Sequence, residues 1–232
     1  MLLLLAYSLC IWHEVGTHQE KLWLHRCNSL EKRNAFRELY PNAEVDVTLR
    51  EDGTWDVTHD AEISFGLSVE AFLADLHAHP GKLWLDVKNL QPQTAVSALH
   101  RLDSLCRFYG VDRQRLVVES DCSEALGSFT RERYFTSYYV RDADPADLEE
   151  VELQAVLKKL RGIVDSGNVC ALSFPVYWYA TLSAHLHRDI PFLTWDHHTL
   201  QWTFLWLPQN RKLLNDGQVK VILLKKKGKY HR

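Results

Sequence analysis

The sequence lacks a large net charge, a cysteine framework and any internal repeat or low-complexity linker. A formal charge of −3 gives no general attraction to nucleic acid, and the basic residues 225–227 at the C-terminal end are typical of a solvated tail. The five cysteines, at positions 10, 27, 106, 122 and 170, include no Cys-x-x-Cys pair and no metal-site spacing with histidine. We interpret them as buried thiols, which excludes a disulfide-stabilised scaffold.

Long apolar segments are also missing. Residues 1–12 form an apolar run that is too short to cross a bilayer, and it lacks the basic start and the cleavage site of a signal peptide. Two interpretations of residues 1–20 stay open: an incomplete leader or membrane anchor, or a segment that covers the bottom of the fold. The first is slightly favoured, so we expect an exported or membrane-associated protein.

What the sequence does contain is a regular alternation of strand-like and helix-like segments. With 232 residues and 46% hydrophobic content, the chain can bury one large core. Eight apolar segments have the length and pattern of strands: 21–24, 43–49, 82–87, 115–119, 134–140, 169–174, 191–195 and 219–224. Helical segments lie between them, so residues 21–232 are expected to form a single-domain (β/α)8 TIM barrel, an α/β fold, as a monomer.

Two helical segments show which face we expect to be buried. Val69, Phe72, Leu73 and Leu76 recur at helical spacing after Ser68, which is a typical helix N-cap. In the segment 29–39, Leu30, Ala35, Phe36 and Leu39 partly mark an apolar face.

Charged residues lie near the ends of successive strands. Glu44 and Asp46 are two apart, so both side chains leave one face of their strand, and Asp86 and Lys88 repeat this spacing. Carboxylates in a buried parallel strand need a metal or an ion pair. Glu44, Asp46 and Asp86 are therefore predicted ligands of Mg²⁺ or Ca²⁺, and the alternative is an ion-pair network with Lys88 without metal.

Histidines complete a set of groups suited to cleaving a phosphodiester. His25-Arg26 ends the first strand, and His59-Asp60 follows a turn at Asp52-Gly53. His25 and His59 are the predicted catalytic pair, one taking a proton from the nucleophile and the other protonating the leaving group. Arg26 and Lys88 would neutralise the phosphate. If the barrel closes, the carboxylates should converge and the two histidines should face each other across them.

These motifs resemble the glycerophosphodiester phosphodiesterase family and its wider phospholipase-C-like superfamily. The family pattern is an HRG strand end, an E-x-D strand, an HD pair after a D-G turn, and an E-x-K strand. The sequence departs from it in two places: Cys27 replaces the motif glycine, and Asp86 replaces the glutamate of E-x-K, as in sphingomyelinase D. The resemblance implies a metal-dependent phosphoric diester hydrolase that cleaves a glycerophosphodiester or a (lyso)phospholipid head-group ester.

The resemblance also guides the substrate pocket. It implies that Trp195 forms a wall of the pocket, while the aromatic residues in 175–179 suit either a choline-like head group or core packing. Only residues 61–85 separate the HD pair from Asp86, so we expect an open pocket for a small-molecule or lipid-derived phosphodiester, compatible with contact at a membrane surface. Glu119 is left as a further metal ligand or a partner of Arg26.

A different class of function fits the same residues. Menorin-like relatives share a His-x-x-Asn-Ser opening, which His25 to Ser29 matches in spacing. The alternative is therefore a non-catalytic barrel that binds a phosphorylated ligand or a protein partner. Keeping both His25 and His59 beside three acids argues against it, because a binding protein does not need paired proton-transfer groups.

Overall fold

The computed structural model describes residues 7, 9–10, 13, 16–186, 190–200 and 207–226. The strands are β1 Leu22–His25, β2 Ala43–Leu49, β3 Trp55–Val57, β4 Leu83–Val87, β5 Leu116–Ser120, β6 Phe135–Tyr139, β7 Ala171–Pro175, β8 Phe192–Leu200 and β9 Val219–Lys225. The helices that pack outside them are α1 Leu30–Phe36, α2 Val69–Ala78, α3 Pro92–Tyr109, α4 Ser123–Arg131, α5 Glu150–Asp165, α6 Tyr179–His185 and α7 Pro208–Asn215.

Eight of the strands close into a parallel barrel. Each pairs in parallel with its neighbours in the order β1, β2, β4, β5, β6, β7, β8, β9, and β9 pairs again with β1. The contact between β1 and β2 that closes the ring is short, with Leu24 opposite Ala43. The predicted (β/α)8 barrel is confirmed, and each of the eight predicted segments overlaps a barrel strand. Strand β3 lies outside the barrel, antiparallel to β2.

The side chains inside the barrel are apolar over part of its length and acidic at the carboxyl ends of three strands. Its apolar part contains Trp23, Trp84, Val117, Ala171, Leu193, Trp195, Val221 and Leu223, all nearly inaccessible to solvent. The carboxyl ends of β2, β4 and β5 instead place acidic side chains inside, with Asp46 opposite Asp86 and Asp86 opposite Glu119 in the strand register. The active sites of such barrels form at the carboxyl ends of the strands, so this end is the candidate site.

The two helix-face predictions had different outcomes. The face of α2 is confirmed, because Val69, Phe72, Leu73 and Leu76 are buried. For α1 the expectation is confirmed only for Leu30 and Phe36, which are partly buried and pack against the main core. It was wrong for Ala35 and Leu39, which are exposed, and the fully buried residues of the helix are Lys32 and Arg33. The reason is a polar contact between α1 and α2. Arg33 Nε pairs with Asp75 Oδ2 of α2 at 2.9 Å, so a buried ion pair joins the two helices.

The structure decides between the two alternatives for Trp178 and corrects the expectation that all five cysteines are buried. The aromatic segment 175–179 forms the end of β7, a 3₁₀ turn at Val176–Trp178 and the start of α6, and Trp178 packs in the core between barrel and helices. All five cysteines are free, but Cys27 and Cys106 alone are buried, Cys122 and Cys170 are partly exposed, and Cys10 is exposed.

The segment 1–20 is described only in part. Tyr7 packs against the main core, with the Arg211 guanidinium of α7 5.6 Å from its ring centre. Within the residues that the structure describes, no helix has the length and apolarity needed to cross a membrane. Whether residues 1–20 act as a leader or as a cover for the barrel stays a prediction.

Gly81 lies against the backbone just before β2, at the start of the two strands that carry the acids. It precedes β4, has φ +121°, and a Cβ atom there would lie 2.0 Å from the carbonyl oxygen of Pro41, which precedes β2. We expect Gly81→Ala to lower the free energy of unfolding by at least about 3 kcal/mol, because strain and clash act together. Gly66→Ala is the matched control: φ is +65° and nothing lies within 4 Å, so a loss of about 1 kcal/mol is expected. Denaturant unfolding of both variants measures this, and equal losses would contradict it.

Candidate active site

The turn after β1 is held by backbone and side-chain hydrogen bonds. Arg26 adopts φ 48°, and its N–H donates to Glu44 Oε2 at 2.6 Å. The N–H of Cys27 donates to the carbonyl oxygen of Glu44 at 2.7 Å. Lys32 Nζ donates to the carbonyl oxygens of His25 and Arg26, both at 2.8 Å. These bonds fix His25 and Arg26 against the acid-bearing strand β2.

Cys27 takes the place of the glycine in the resembled motif without visible strain. The left-handed backbone of this turn belongs to Arg26, and Cys27 is not among the residues with positive φ, so its position does not demand glycine. The side chain has no exposed surface and packs in the main core. Burial raises the pKa of the Cys27 thiol to about 12. The residue is therefore a neutral packing group and not a nucleophile.

Three carboxylates converge at the mouth of the barrel. Oxygen atoms of Glu44, Asp46 and Asp86 lie within 4.8 Å of one another. Lys88 Nζ lies 2.7 Å from Asp46 Oδ1 and also pairs with Asp86 Oδ2. Asn28 holds Asp46 from the other side, donating from Nδ2 to Oδ2 at 2.7 Å and accepting the Asp46 N–H at 3.0 Å. The convergence predicted from the two strand motifs is what the structure shows for these three acids.

The buried position of this cluster shifts the pKa values of its charged side chains. Burial, and then the charges of Asp46 and Asp86, raise the pKa of Glu44 well above its usual range. Burial also raises the pKa of Asp86, against the lowering effect of Lys88. For Asp46 the effect of burial is outweighed by Lys88 and Asn28, so its pKa is lowered. Burial would lower the pKa of Lys88, but the adjacent carboxylates outweigh it and raise the pKa.

His25 lies at the inner side of the cluster. It is 7% exposed, its Nε2 is 3.9 Å from Glu44 Oε2, and its buried Nδ1 has no partner within the described part of the chain. Burial lowers the pKa of His25 well below its usual range. The ring is therefore neutral near pH 7 and can accept a proton.

His59 and Arg26 lie nearer to solvent. The side chain of His59 is 46% exposed, and Nδ1 is 2.9 Å from Asp60 Oδ1. It acts electrostatically on Asp86, against the rise that burial causes in the pKa of that carboxyl. Arg26 is 30% exposed, with Nε 3.9 Å from Asp46 Oδ2, so it approaches Asp46. The two histidines thus differ in exposure, and the expectation that they face each other across the acids stays a prediction.

Trp195 lies in the apolar part of the barrel interior, next to His25, and its role as a pocket wall stays a prediction. It is 5% exposed, and its ring centre is 6.5 Å from that of His25, 5.2 Å from that of Tyr139 and 6.4 Å from that of Trp84. These aromatic rings form the apolar boundary beneath the charged groups.

Glu119 is buried beside the cluster and was left undecided by the sequence. It stands opposite Asp86 in the register, and its Oε2 has no hydrogen-bond partner among the residues that can be described. Burial and the Asp86 charge raise its pKa well above the usual range. A neutral carboxyl is therefore the favoured form.

Sequence reasoning missed three residues of the site. Asn28 and Lys32 were not singled out for the contacts they make, and Tyr139 was counted only as part of a strand. Asn28 follows the end of β1 by three residues, and proximity to a strand end was an available signal. The buried position of Lys32 had no signal, because its partners are backbone carbonyls of a turn.

Comparisons with known proteins give the fold but no family. No protein-family model matches the chain, and no curated protein is similar to it. Solved structures do match. A glycerophosphodiester phosphodiesterase from Parabacteroides distasonis has a TM-score of 0.62 at 15% identity, covering 89% of this chain and 93% of that one. The chain shares its barrel fold.

Two further solved structures match with similar statistics. A phosphodiesterase from Oleispira antarctica, in complex with the product sn-glycerol-3-phosphate, has a TM-score of 0.59 at 14% identity, covering 91% of this chain and 94% of that one. A calcium-dependent phosphoinositol-specific phospholipase C from Pseudomonas sp has a TM-score of 0.53 at 15% identity, covering 90% and 91%. At such identities these likenesses establish the fold alone, which agrees with the resemblance in the motifs.

The donor set of the cluster fits a hard divalent cation. Glu44, Asp46 and Asp86 offer only oxygen ligands, as Mg²⁺ and Ca²⁺ prefer. The Lys88 ammonium pairs with Asp46 and Asp86, and Arg26 Nε lies 3.9 Å from Asp46 Oδ2, so two positive charges face three carboxylates. Burial, and after it the charges of Asp46 and Asp86, raise the pKa of Glu44, and a bound cation would offset those negative charges.

We expect Mg²⁺ or Ca²⁺ to raise the melting temperature of the protein, because a ligand that binds only the folded state stabilises it. At a concentration 100 times the Kd the gain is about 2.7 kcal/mol, or roughly 5–10 °C for a chain of this size. Glu44→Gln and Asp86→Asn should each remove most of the shift, measured by thermal unfolding with and without EDTA. Glu124→Gln, at an exposed position of α4, is the control and should keep it. An equal shift in all four proteins would contradict the site.

Proposed function

We propose that this chain is a metal-dependent phosphodiesterase that cleaves a glycerophosphodiester or the head-group ester of a (lyso)phospholipid. The observation that carries the proposal is the convergence of Glu44, Asp46 and Asp86 within 4.8 Å, beside Lys88 and His25 at the carboxyl end of the barrel. The structural neighbours include glycerophosphodiester phosphodiesterases and a phospholipase C, which supports the same reaction class.

The site would neutralise the charge that grows on the phosphoryl oxygens. Lys88 is only 16% exposed and is kept protonated by Asp46 and Asp86, so it supplies a fixed positive charge. Arg26, partly open to solvent, can reach a phosphate at the mouth. Glu44, Asp46 and Asp86 would hold the divalent cation, which supplies further charge neutralisation when bound.

The two histidines would divide the proton transfers. His25 is buried and neutral, so it suits the base that takes a proton from the attacking hydroxyl or water. His59 is exposed and hydrogen-bonded to Asp60, so it suits the acid that protonates the leaving alkoxide, which departs toward solvent. In the resembled families a hydroxyl of the substrate can attack first, and the product is then a cyclic phosphate.

The substrate inference rests on the open mouth and its apolar rim. The connection between His59 and α2 is short, and within it Ile63 and Phe65 are 45% and 49% exposed. Exposed apolar side chains beside a catalytic mouth suit a lipid-derived substrate better than a fully polar one. Tyr139 is partly exposed and could contact the head group, with Trp195 packed behind it, whereas Trp178 lies in the core.

We expect His25→Ala and His59→Ala each to lower kcat/KM for bis(p-nitrophenyl) phosphate by about 10²–10⁴-fold, which is the usual contribution of a positioned acid or base. EDTA should abolish turnover, and Mg²⁺ or Ca²⁺ should restore it. His100→Ala is the matched control, since His100 is exposed on α3 and should keep full activity. Circular dichroism of each variant separates lost chemistry from lost folding.

The outcomes distinguish the two classes of function. Activity that persists in EDTA would reject the metal role, and equal activity of all three histidine variants would reject the assigned pair. Binding of deacylated or lysophospholipids without any product, followed by ³¹P NMR, would instead favour a menorin-like binding barrel. The same spectra report whether the product is a cyclic or an open phosphate.

A further inference from the structure

A second cavity lies at the opposite end of the barrel from the carboxylates. Its volume is about 650 Å³, which is within the range of small-molecule sites. Residues in, or directly before, all eight barrel strands line it, among them Trp23 of β1, Lys82 before β4, Cys170 before β7 and Lys220 of β9. Because these are the amino-terminal ends of the strands, the cavity cannot be part of the site described above.

The floor of this cavity is apolar. Trp23, Val117, Leu193 and Val221 line it and belong to the apolar part of the barrel interior. The rest of that cluster, including Trp84 and Trp195, continues toward the charged mouth. An apolar chain could therefore enter the amino-terminal mouth without contacting the acids.

The rim of the cavity is cationic. Lys82, Arg133 and Lys220 line it together with one acid, Glu20, and all three basic residues are exposed. Across the ranges that the structure covers, none of the three has a side-chain hydrogen bond or an ion pair. Three cations against one carboxylate at the mouth of an apolar cavity favour an anionic head group.

The chain's own N-terminal segment is not the favoured occupant. Its described residues lie beside α7: Tyr7 stacks on Arg211, and Leu9, Cys10 and His13 surround a separate surface pocket with Arg211 and Asn215. Of the described residues before Glu20, none lines the cavity.

We propose that the amino-terminal mouth of the barrel binds a single-chain anionic amphiphile of the fatty-acid type. Its hydrocarbon chain would fill the apolar floor, and its carboxylate would lie between the lysines and Arg133. This site is separate from the phosphodiesterase site and does not depend on the proposed reaction.

Cys170 provides a direct test in the full-length protein. Its thiol is free, partly exposed and part of the cavity lining. Cys122 is also free and partly exposed, but it follows β5 at the other end of the barrel. It therefore serves as an internal control. Dodecanoate, below its micelle concentration, should slow maleimide labelling of Cys170 by about tenfold, as site-resolved mass spectrometry would measure, and should leave Cys122 unchanged.

Two comparisons test the chemistry of the head group. Dodecyltrimethylammonium has the same chain with a positive head and should protect Cys170 far less. The double variant Lys82→Gln/Lys220→Gln changes only exposed side chains and should weaken dodecanoate binding by roughly tenfold. The proposal is overturned if the two amphiphiles protect equally, if the variant binds dodecanoate as tightly as the parent, if Cys122 is protected as well, or if Cys170 is not protected at all.

Discussion

Excess negative charge in a desolvated barrel mouth is the constraint on which this structure depends. Glu44, Asp46 and Asp86 are held together by the pairing of β2 with β4, and within the described part of the chain Lys88 is the cation that pairs closely with two of them. Burying ionised groups costs several kcal/mol each unless partners compensate. The surrounding hydrogen bonds from Asn28 and the Arg26 N–H are part of that compensation, and a divalent cation would complete it. The same charges that are costly for folding make the mouth suitable for phosphate chemistry.

The barrel separates this charged end from an apolar end. An aromatic and aliphatic layer containing Trp84, Trp195 and Leu223 fills the interior between them. Its upper side contacts the ring of His25, and its lower side continues into the floor of the second cavity through residues such as Val117 and Leu193. One scaffold thus has a cluster of acids at the carboxyl ends of its strands and an apolar cavity at the amino ends.

The barrel and the three carboxylates could be predicted from sequence because both depend on local periodicity. Spacing of two on a strand places Glu44 with Asp46 and Asp86 with Lys88, and alternation of strands and helices then brings the strands side by side. The buried face of α1 could not be predicted, because Lys32 and Arg33 are buried by partners far away in sequence or on the backbone: Asp75 of α2 and the carbonyls of His25 and Arg26. For Trp178, sequence could not choose between pocket and core, since both are apolar settings. The depth of each histidine is likewise a tertiary property, which spacing along a strand does not encode.

The most direct test of the central claim is an anomalous-scattering experiment on crystals grown with Mn²⁺, as a substitute for Mg²⁺ or Ca²⁺, and glycerol phosphate. The account predicts one Mn²⁺ peak about 2.0–2.6 Å from oxygens of Glu44, Asp46 and Asp86, with the phosphorus atom between His25 and His59. Crystals that hold Mn²⁺ elsewhere, or that show Asp46 and Asp86 paired only with Lys88 and no metal beside Glu44, would contradict it.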